Sequence, residues 1–392
     1  MRYHLVSPIG LKPLLLATFV FLAFAAVPAQ TVQVASVVHT QYKIESAKLG
    51  ETRTILVRVP ADYDRKHDRY PVIYMLDAHP PQNAMMAGMV ESLEWAGMLP
   101  EMIIVGIQNV DRVRDMTPVN DSNPPTGGGG AKFLDFIESE VVPLVDKTYR
   151  TQPYRIFAGH SLGGLFAVYA MTARPGLFNA YIAASPVVGY GNNFVIKQAE
   201  SLFAANRDLH TTLFVGIGDE PELMGEYEAF QGLVKRSKPK GLEYEFRHFT
   251  GENHPSVVLP AYLAGLRMIY AGWTPPPSGS VAALEEHYRR LSDRFGYRIT
   301  IPEAMLNRIG YQFLRESKFS EAIDVFKKNI ENYPESANCL DSLAEAYDKS
   351  GSAKLARDTY ERAYKMAEAH GERQLAQSAK ANFDRLSGKP KN

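Results

Sequence analysis

A serine flanked by glycines is the pattern in this chain that most directly suggests chemistry. The segment GHSLGG at 159–164 centres on Ser161 and follows an apolar run, YRIFA, at 154–158. A helical apolar run comes directly after it. A strand, a sharp turn and a helix in this order hold a serine in a strained conformation with its hydroxyl exposed, as in a nucleophile elbow. We expect glycine to be required at 159 and 163, because a Cβ there would clash with the adjoining strand or helix.

The same turn supplies part of an oxyanion-binding site. Because the serine would lie at a helix N-terminus, backbone N–H groups such as that of Leu162 point at negative charge developing beside it. A second donor normally comes from the loop after an early central strand. Here that loop begins with Asp77, so the N–H of Ala78 or His79 is the expected donor. We expect Asp77 itself to structure the turn.

A serine nucleophile needs a histidine base, which in folds with such an elbow follows the acid and the serine in the chain. Three histidines, His210, His248 and His254, follow Ser161 before the helical tail. His248 falls within an expected strand, whereas His254 lies in the turn-rich loop GENHPS at 251–256. The sequence therefore predicts His254 as the base.

The acid that orients the histidine is expected in the loop after the strand at 211–216. Asp219 is favoured because it stands nearest the tip of that strand. Glu220 and Glu222 in the same loop, and Glu252 in the histidine loop, remain alternatives. A serine–histidine pair without a closely bound acid is a further alternative.

Strand-like and helical segments alternate through the first 270 residues, which predicts a mostly parallel sheet with helices on both faces. The nearly continuous apolar runs at 70–77 and 102–108 are typical of central strands. Ligands of such sheets bind beyond the carboxyl ends of the strands, so the motifs above should lie close together. Further strands are expected at 32–42, 51–59, 180–185, 211–216 and 242–249, and helices at 85–97, 131–147 and 259–270.

A composition break, PPPSGS at 275–280, separates this region from a helical tail. We therefore place a domain at 30–274, a linker at 275–281 and an all-helical domain at 282–392. Within the tail, apolar and small residues recur after 34 residues, which predicts two tetratricopeptide-like repeats at about 303–336 and 337–370. Two repeats are fewer than the ~3 that usually stack independently, so a neighbouring helix or the first domain should cap them.

The N-terminus has the features of a secretory signal peptide. Basic residues up to Lys12 precede the apolar stretch at 13–28, and small residues follow. The apolar core is short for a membrane span, so we predict a leader at 1–29 and a periplasmic or secreted protein. An uncleaved N-terminal anchor is the alternative. The sequence contains a single cysteine, Cys339, which excludes an intrachain disulfide.

Charge and motif content exclude several function classes. Lysine plus arginine equals aspartate plus glutamate at 43 each, so no net field attracts nucleic acid or an anionic membrane surface. The chain has no CxxC pair, no HExxH string and no GxxxxGK string. We therefore expect neither a metal nor an organic cofactor.

Taken together, the motifs resemble those of a known family. They are YMLDA at 74–78, IIVGIQN at 103–109, Arg114 with Thr117-Pro118, FIESEVVPLVDKTYRT at 136–151, AGHSLGG at 158–164, SP at 185–186 and GENHPSV at 251–257. Their order resembles the putative-esterase group of α/β-hydrolases, which includes enterochelin (siderophore) esterases, S-formylglutathione hydrolases, feruloyl esterases and mycobacterial mycolyltransferases. The resemblance covers about residues 40–272 and implies an α/β-hydrolase fold. It also implies a triad of Ser161, His254 and an acid near 219, with Leu162 and the Asp77 turn as oxyanion donors. Ala78 stands where many relatives have glycine.

The expected activity is that of an exported serine esterase which forms a covalent acyl-enzyme and hydrolyses it with water. A siderophore ester is the most specific substrate hypothesis, and aryl or short acyl esters are equally open. Arg114 and His160 are expected near the substrate, although a structural salt bridge is the commoner fate of such an arginine. Two alternatives are an acyltransferase with the same triad and a hydrolase-like scaffold whose tail binds a protein or peptide.

Overall fold

An eight-stranded sheet forms the core of the larger part of the protein. The computed structural model describes residues 39–64, 66, 68–121, 126–276 and 280–388. The strands are β1 (Thr40–Ser46), β2 (Glu51–Arg58), β3 (Tyr70–Met75), β4 (Ile103–Ile107), β5 (Thr151–His160), β6 (Ala180–Ala184), β7 (Thr211–Ile217) and β8 (Leu242–His248). Their spatial order is β1-β2-β4-β3-β5-β6-β7-β8. Strand β2 is antiparallel to β1 and β4, and all other pairs are parallel, which confirms the predicted sheet.

Burial along the strands follows their place in the sheet. Strands β3, β4, β6 and β7 are buried at every position, as expected of central strands covered on both faces. The edge strand β1 alternates between more and less exposed positions. It begins at Thr40, later than predicted, while positions 32–38 and the leader predicted at 1–29 lie outside the described residues.

Helices cover both faces of the sheet. In the described part of the chain before the tail, the helices are α1 (Pro80–Trp95), α2 (Arg112–Met116), α3 (Gly130–Phe136), α4 (Val142–Thr148), α5 (Leu162–Ala173), α6 (Tyr190–Ala204), α7 (Pro221–Ser237) and α8 (Val258–Ile269). A π-helical turn, Ile137–Val141, joins α3 to α4, so the single helix predicted at 131–147 is continuous but irregular. Helices α2, α6 and α7 lie outside the ranges predicted for helices.

Helix α5 is the most deeply buried helix near the serine motif. All its residues from Gly163 to Thr172 are buried, and a helix that is apolar all round belongs in the core. The ring of Phe166 lies 5.9 Å from that of Phe157 in β5, measured between centroids. This packing fixes the helix, and with it the turn between β5 and α5, relative to the sheet.

The described part of the tail is entirely helical. Its helices are α9 (Val281–Phe295), α10 (Glu303–Arg315), α11 (Phe319–Asn332), α12 (Ala337–Lys349), α13 (Ala353–Ala369) and α14 (Arg373–Leu386). The starts of α10 and α12 are 34 residues apart, as are those of α11 and α13. At Gly310 an added Cβ would come within 2.5 Å of the Phe326 ring, so this glycine permits close packing of α10 on α11. The spacing supports the predicted repeats, whose family identity stays a prediction.

Helix α9 packs against the amino-terminal ends of the strands. The ring of Phe295 stacks on Tyr270 at 5.0 Å and meets Tyr154, near the start of β5, at 4.9 Å. Arg294 forms an ion pair of 3.1 Å with Glu243 in β8. The linker predicted at 275–281 includes residues outside the described ranges, and the domain boundary there stays a prediction. No helix among the described residues is long and apolar enough to cross a membrane.

Candidate active site

Ser161 occupies a strained turn at the carboxyl end of β5. Its φ of 59° and ψ of −118° lie in a region that residues with a Cβ rarely adopt. A Cβ at Gly159 would overlap the carbonyl of Gly163, so only glycine fits where strand and helix meet. At Gly163 the constraint is weaker, since an added Cβ would be 3.1 Å from an oxygen of Asp77. The N–H of Ser161 donates to the carbonyl of Ala184 at 2.9 Å, which ties the turn to β6.

The backbone donors predicted around the serine have different surroundings. Leu162 is the first residue of α5, where backbone N–H groups have no acceptor within the helix. In the turn after β3, the N–H of Ala78 donates to the carbonyl of Ile107 at 3.3 Å. The N–H of His79 donates to the carbonyl of Asp77 at 2.9 Å. Both predicted second donors therefore have backbone acceptors in this state.

The histidine loop brings His254 to the elbow. The N–H of His160 Nε2 donates to the carbonyl oxygen of His254 at 2.7 Å, and the two rings lie 4.6 Å apart. His160 directly precedes Ser161, so the structure brings the predicted base to the nucleophile's turn. Burial, followed by the neighbouring His254, lowers the pKa of His160 and favours its neutral form. His160 therefore contacts the histidine loop through a ring N–H.

Glu220 is the carboxylate that contacts the histidine. Its Oε2 pairs with Nδ1 of His254, while its Oε1 accepts from the hydroxyl of Ser185 and, at 3.0 Å, from the N–H of Gly218. Glu220 is only 2% exposed. Burial by itself would raise the pKa of this carboxyl, but the hydrogen bonds from Ser185, His254 and Gly218 together lower it. The structure thus keeps a buried carboxylate ionised beside an imidazole.

Asp219, the acid favoured from the sequence, faces away from His254. Its carboxylate pairs with Nε2 of His248 at 2.8 Å and accepts from the N–H of Gly251 at 2.7 Å. Its own N–H donates to the carbonyl of Glu252 at 2.6 Å. The hydrogen bond from Gly251, followed by that from His248, lowers the pKa of Asp219. Asp219 therefore fastens the histidine loop to the loop after β7, and its predicted contact with His254 is not formed.

A second charged cluster joins the turn after β3 to the elbow. Asp77 has a φ of 56° and accepts two hydrogen bonds from Arg112, at 2.7 and 3.1 Å. The same guanidinium donates to the carbonyl of His160 at 2.9 Å, and Asn109 also donates to Asp77. Asp77 thus structures the turn, as expected, and Arg112 is the side chain that bonds both the turn and the residue before the serine.

Comparison with known proteins identifies the family of the sheet domain. The family model described as putative esterase matches residues 46–256. The chain is 29% identical over 221 residues to the ferri-bacillibactin esterase BesA of Bacillus subtilis, covering 48% of this chain and 75% of that protein. It is 28% identical over 198 residues to the siderophore triacetylfusarinine C esterase of Aspergillus fumigatus, covering 42% of this chain and 66% of that one. The solved structure of an IroE-like serine hydrolase from Shewanella oneidensis has a TM-score of 0.67 and 27% identity, and the match covers 75% of this chain and 99% of that one.

The chain belongs to the putative esterase family. With the family model and these relatives, the protein is a carboxylic ester hydrolase of the α/β-hydrolase fold. The predicted family is confirmed for the sheet domain.

In the esterase, Arg114 has a structural role. The guanidinium of Arg114 bonds both carboxylate oxygens of Glu51, at 2.6 and 3.2 Å, and Asp115 at 2.8 Å. The hydrogen bonds that Arg114 donates to these carboxylates, foremost the one to Asp115, raise its pKa. The salt bridge named as the alternative fate of Arg114 is formed. Sequence reasoning missed Arg112, two positions earlier on α2, because the elements around it gave no sign of which arginine faces the elbow.

A cavity of about 250 Å³ adjoins the elbow of the esterase. Its walls are mainly apolar, and its polar side chains come from the turn after β3, from α1 and α2, and from the end of β5. The lining residues are Met75, Leu76, Asp77, Gln82, Met85, Arg112, His160, Pro255, Val258 and Tyr262. Apolar walls with a few polar groups are typical of small-molecule sites. Among the described residues, no cluster of His, Cys, Asp or Glu is arranged to hold a metal ion.

Proposed function

We propose that the esterase works through a serine, histidine and glutamate triad. Ser161 attacks the acyl carbonyl of an ester, His254 accepts the serine proton, and Glu220 takes the role that the sequence favoured for Asp219. The observation that carries the proposal is the contact between Nδ1 of His254 and the buried Glu220 carboxylate beside the strained Ser161 turn. The acyl-enzyme is then hydrolysed by water.

The carboxylate sets the tautomer of the histidine. An ionised Glu220 accepts only, so Nδ1 of His254 carries the proton and Nε2 keeps its lone pair for the serine hydroxyl. When His254 takes the proton from Ser161, the negative charge of Glu220 stabilises the imidazolium. His254 then returns that proton to the leaving alkoxide, and the same cycle activates water in the second half of the reaction.

Oxyanion stabilisation is proposed to come from both sides of the elbow. The N–H of Leu162 lies at the start of α5, where the helix dipole also favours negative charge. Ala78 and His79 remain the proposed second donors. Each has a backbone acceptor at present, so one of them would exchange that acceptor for the oxyanion as the tetrahedral intermediate forms.

The proposed substrate is an ester of a siderophore. Support comes from the relatives, one of which is named for a siderophore ester and another for ferri-bacillibactin. The cavity beside the elbow offers apolar walls to an aryl or aliphatic group. An exported location, from the predicted leader, is compatible with such a substrate and is part of this proposal.

Hydrolysis of p-nitrophenyl esters and of cyclic siderophore esters by the wild-type protein tests the proposal. We expect Ser161→Ala and His254→Ala to reduce turnover by about 10³-fold or more with folding intact. His210→Ala, at a histidine with an 82% exposed side chain near the other end of the sheet, is the matched control and should retain full activity. Turnover by Ser161→Ala at the wild-type rate would overturn the triad. Preference for p-nitrophenyl esters, with no siderophore hydrolysis, would overturn the substrate alone.

A further inference from the structure

Ser185 lies immediately after β6, between the elbow and the acid loop. It is fully buried, and its φ of 39° is in the left-handed region. Its N–H donates to the carbonyl of Gly216 in β7 at 2.7 Å, and its hydroxyl donates to Oε1 of Glu220. The side chain thus contacts the carboxylate that pairs with the histidine.

We infer that Ser185 is a positioning residue for ester hydrolysis, which holds the Glu220 carboxylate in the orientation that presents Oε2 to His254. This inference rests on the proposed triad. Three donors divide between the two oxygens of Glu220: the Ser185 hydroxyl and the Gly218 N–H bind Oε1, and His254 binds Oε2. With Oε1 held on one side, the carboxylate cannot rotate without breaking two hydrogen bonds.

The backbone conformation of Ser185 supports a role for its side chain. Glycine adopts a φ of 39° without steric cost, whereas a residue with a Cβ is strained there. A serine at this buried turn is therefore less stable than glycine as far as the backbone is concerned. Among the described residues, the hydrogen bond to Glu220 is the contact of the Ser185 side chain that explains a hydroxyl at this place.

Two substitutions separate positioning from a structural role. Ser185→Ala removes the hydroxyl and keeps the strain, while Ser185→Gly removes the hydroxyl and relieves the strain. We expect both to lower kcat on a p-nitrophenyl ester about tenfold, because a buried carboxylate loses one of its donors. Ser185→Gly should also have a higher Tm than Ser185→Ala, because only the alanine variant keeps the backbone strain. A purely structural role predicts instead that Ser185→Gly keeps the wild-type kcat.

The pH profile gives a second readout. The donors on Glu220 lower its pKa, so removal of Ser185 raises the pKa of Glu220 and makes the carboxylate a stronger base beside His254. The protonated form of the Glu220–His254 pair then persists to higher pH. We expect the acid limb of kcat/KM to move upward by about one pH unit in both variants. An unmoved acid limb would contradict the inference.

A double-mutant cycle shows whether Ser185 acts through Glu220. In a Glu220→Ala background, Ser185→Ala should change the residual kcat less than twofold, because its target is gone. An equal tenfold loss in both backgrounds would overturn the inference. Failure of the triad itself has a different signature, in which Ser161→Ala or Glu220→Ala keeps wild-type turnover. If those two variants are inactive while both Ser185 variants match the wild type, the inference about Ser185 alone is wrong.

Discussion

Two carboxylates follow strands that lie on opposite sides of β5, the strand that leads into the elbow. Glu220, after β7, is 2% exposed and accepts from three donors, one of which is the histidine. The side chain of Asp77, after β3, is 24% exposed and accepts from Arg112 and Asn109. Both fix a strand-end turn beside Ser161, and Glu220 is the one of the two that is hydrogen-bonded to an imidazole.

In this comparison, burial and hydrogen-bond partners distinguish the carboxylate with a proposed catalytic role from the one with a structural role. Residue type and position at the sheet edge do not. A buried carboxylate interacts strongly with its few partners because little water screens it. A partly exposed ion pair such as that of Asp77 and Arg112 is worth about 1 kcal/mol or less. Substitutions of Glu220 and of Asp77 should therefore differ greatly in their effects on ester hydrolysis.

The largest effect is expected at Glu220. In Glu220→Gln the side-chain amide would donate toward Nδ1 of His254, which favours the wrong tautomer for proton transfer from Ser161. We expect kcat to fall by roughly 10³- to 10⁴-fold. The measurement is steady-state hydrolysis of a p-nitrophenyl ester, with Glu222→Gln, two positions away and exposed, as the control of unchanged kcat. A larger loss in the control than in Glu220→Gln would reverse the assignment of the acid.

The cavity beside Asp77 allows a test that depends on the size of the acyl group of the ester. Met85→Trp should fill part of the 250 Å³ space beside Asp77 without touching Glu220. We expect kcat/KM for a benzoyl ester to drop about tenfold while that for an acetyl ester changes less than twofold. Competition between the two esters in one reaction measures this ratio directly. An equal drop for both substrates would mean that the cavity does not bind the acyl group.

A smaller effect is expected when Asp77 loses its charge. Asn tolerates the left-handed conformation at this position, so Asp77→Asn weakens the pairing with Arg112 while preserving the backbone. We expect kcat/KM to fall about fivefold, in line with a partly exposed ion pair that positions the oxyanion turn. Parallel kinetics and thermal melts distinguish a catalytic loss from unfolding. A loss as large as that of Glu220→Gln would break the proposed contrast.

The smallest effect is expected at Asp219, next to Glu220 in sequence. Asp219→Asn keeps an acceptor for the N–H of Gly251 and weakens only the pairing with His248. Since the Asp219 side chain is 48% exposed, we expect kcat to change less than about threefold. The same ester assay measures this change in kcat. A 10²-fold loss would restore Asp219 as the acid favoured by the sequence.

The sequence predicted the fold and the elements of the site better than it predicted which side chains face the serine. The parallel sheet followed from apolar runs, and the elbow followed from a local motif whose glycines have steric reasons. The choice between Asp219 and Glu220, however, depends on which of two consecutive side chains a tight loop turns inward. Arg112 and Arg114 pose the same difficulty, because residues two apart on a helix point in different directions. Such orientations are set by packing between loops that are distant in the chain.

Helix α9 meets the opposite end of the sheet from Ser161. The contact between Phe295 and Tyr154 lies seven residues before the nucleophile along β5, which is about 20 Å at the rise of an extended strand. Helix α9 and the nucleophile thus lie at opposite ends of β5. The contacts of α9 with Tyr154, Tyr270 and Glu243 therefore involve none of the residues proposed for catalysis.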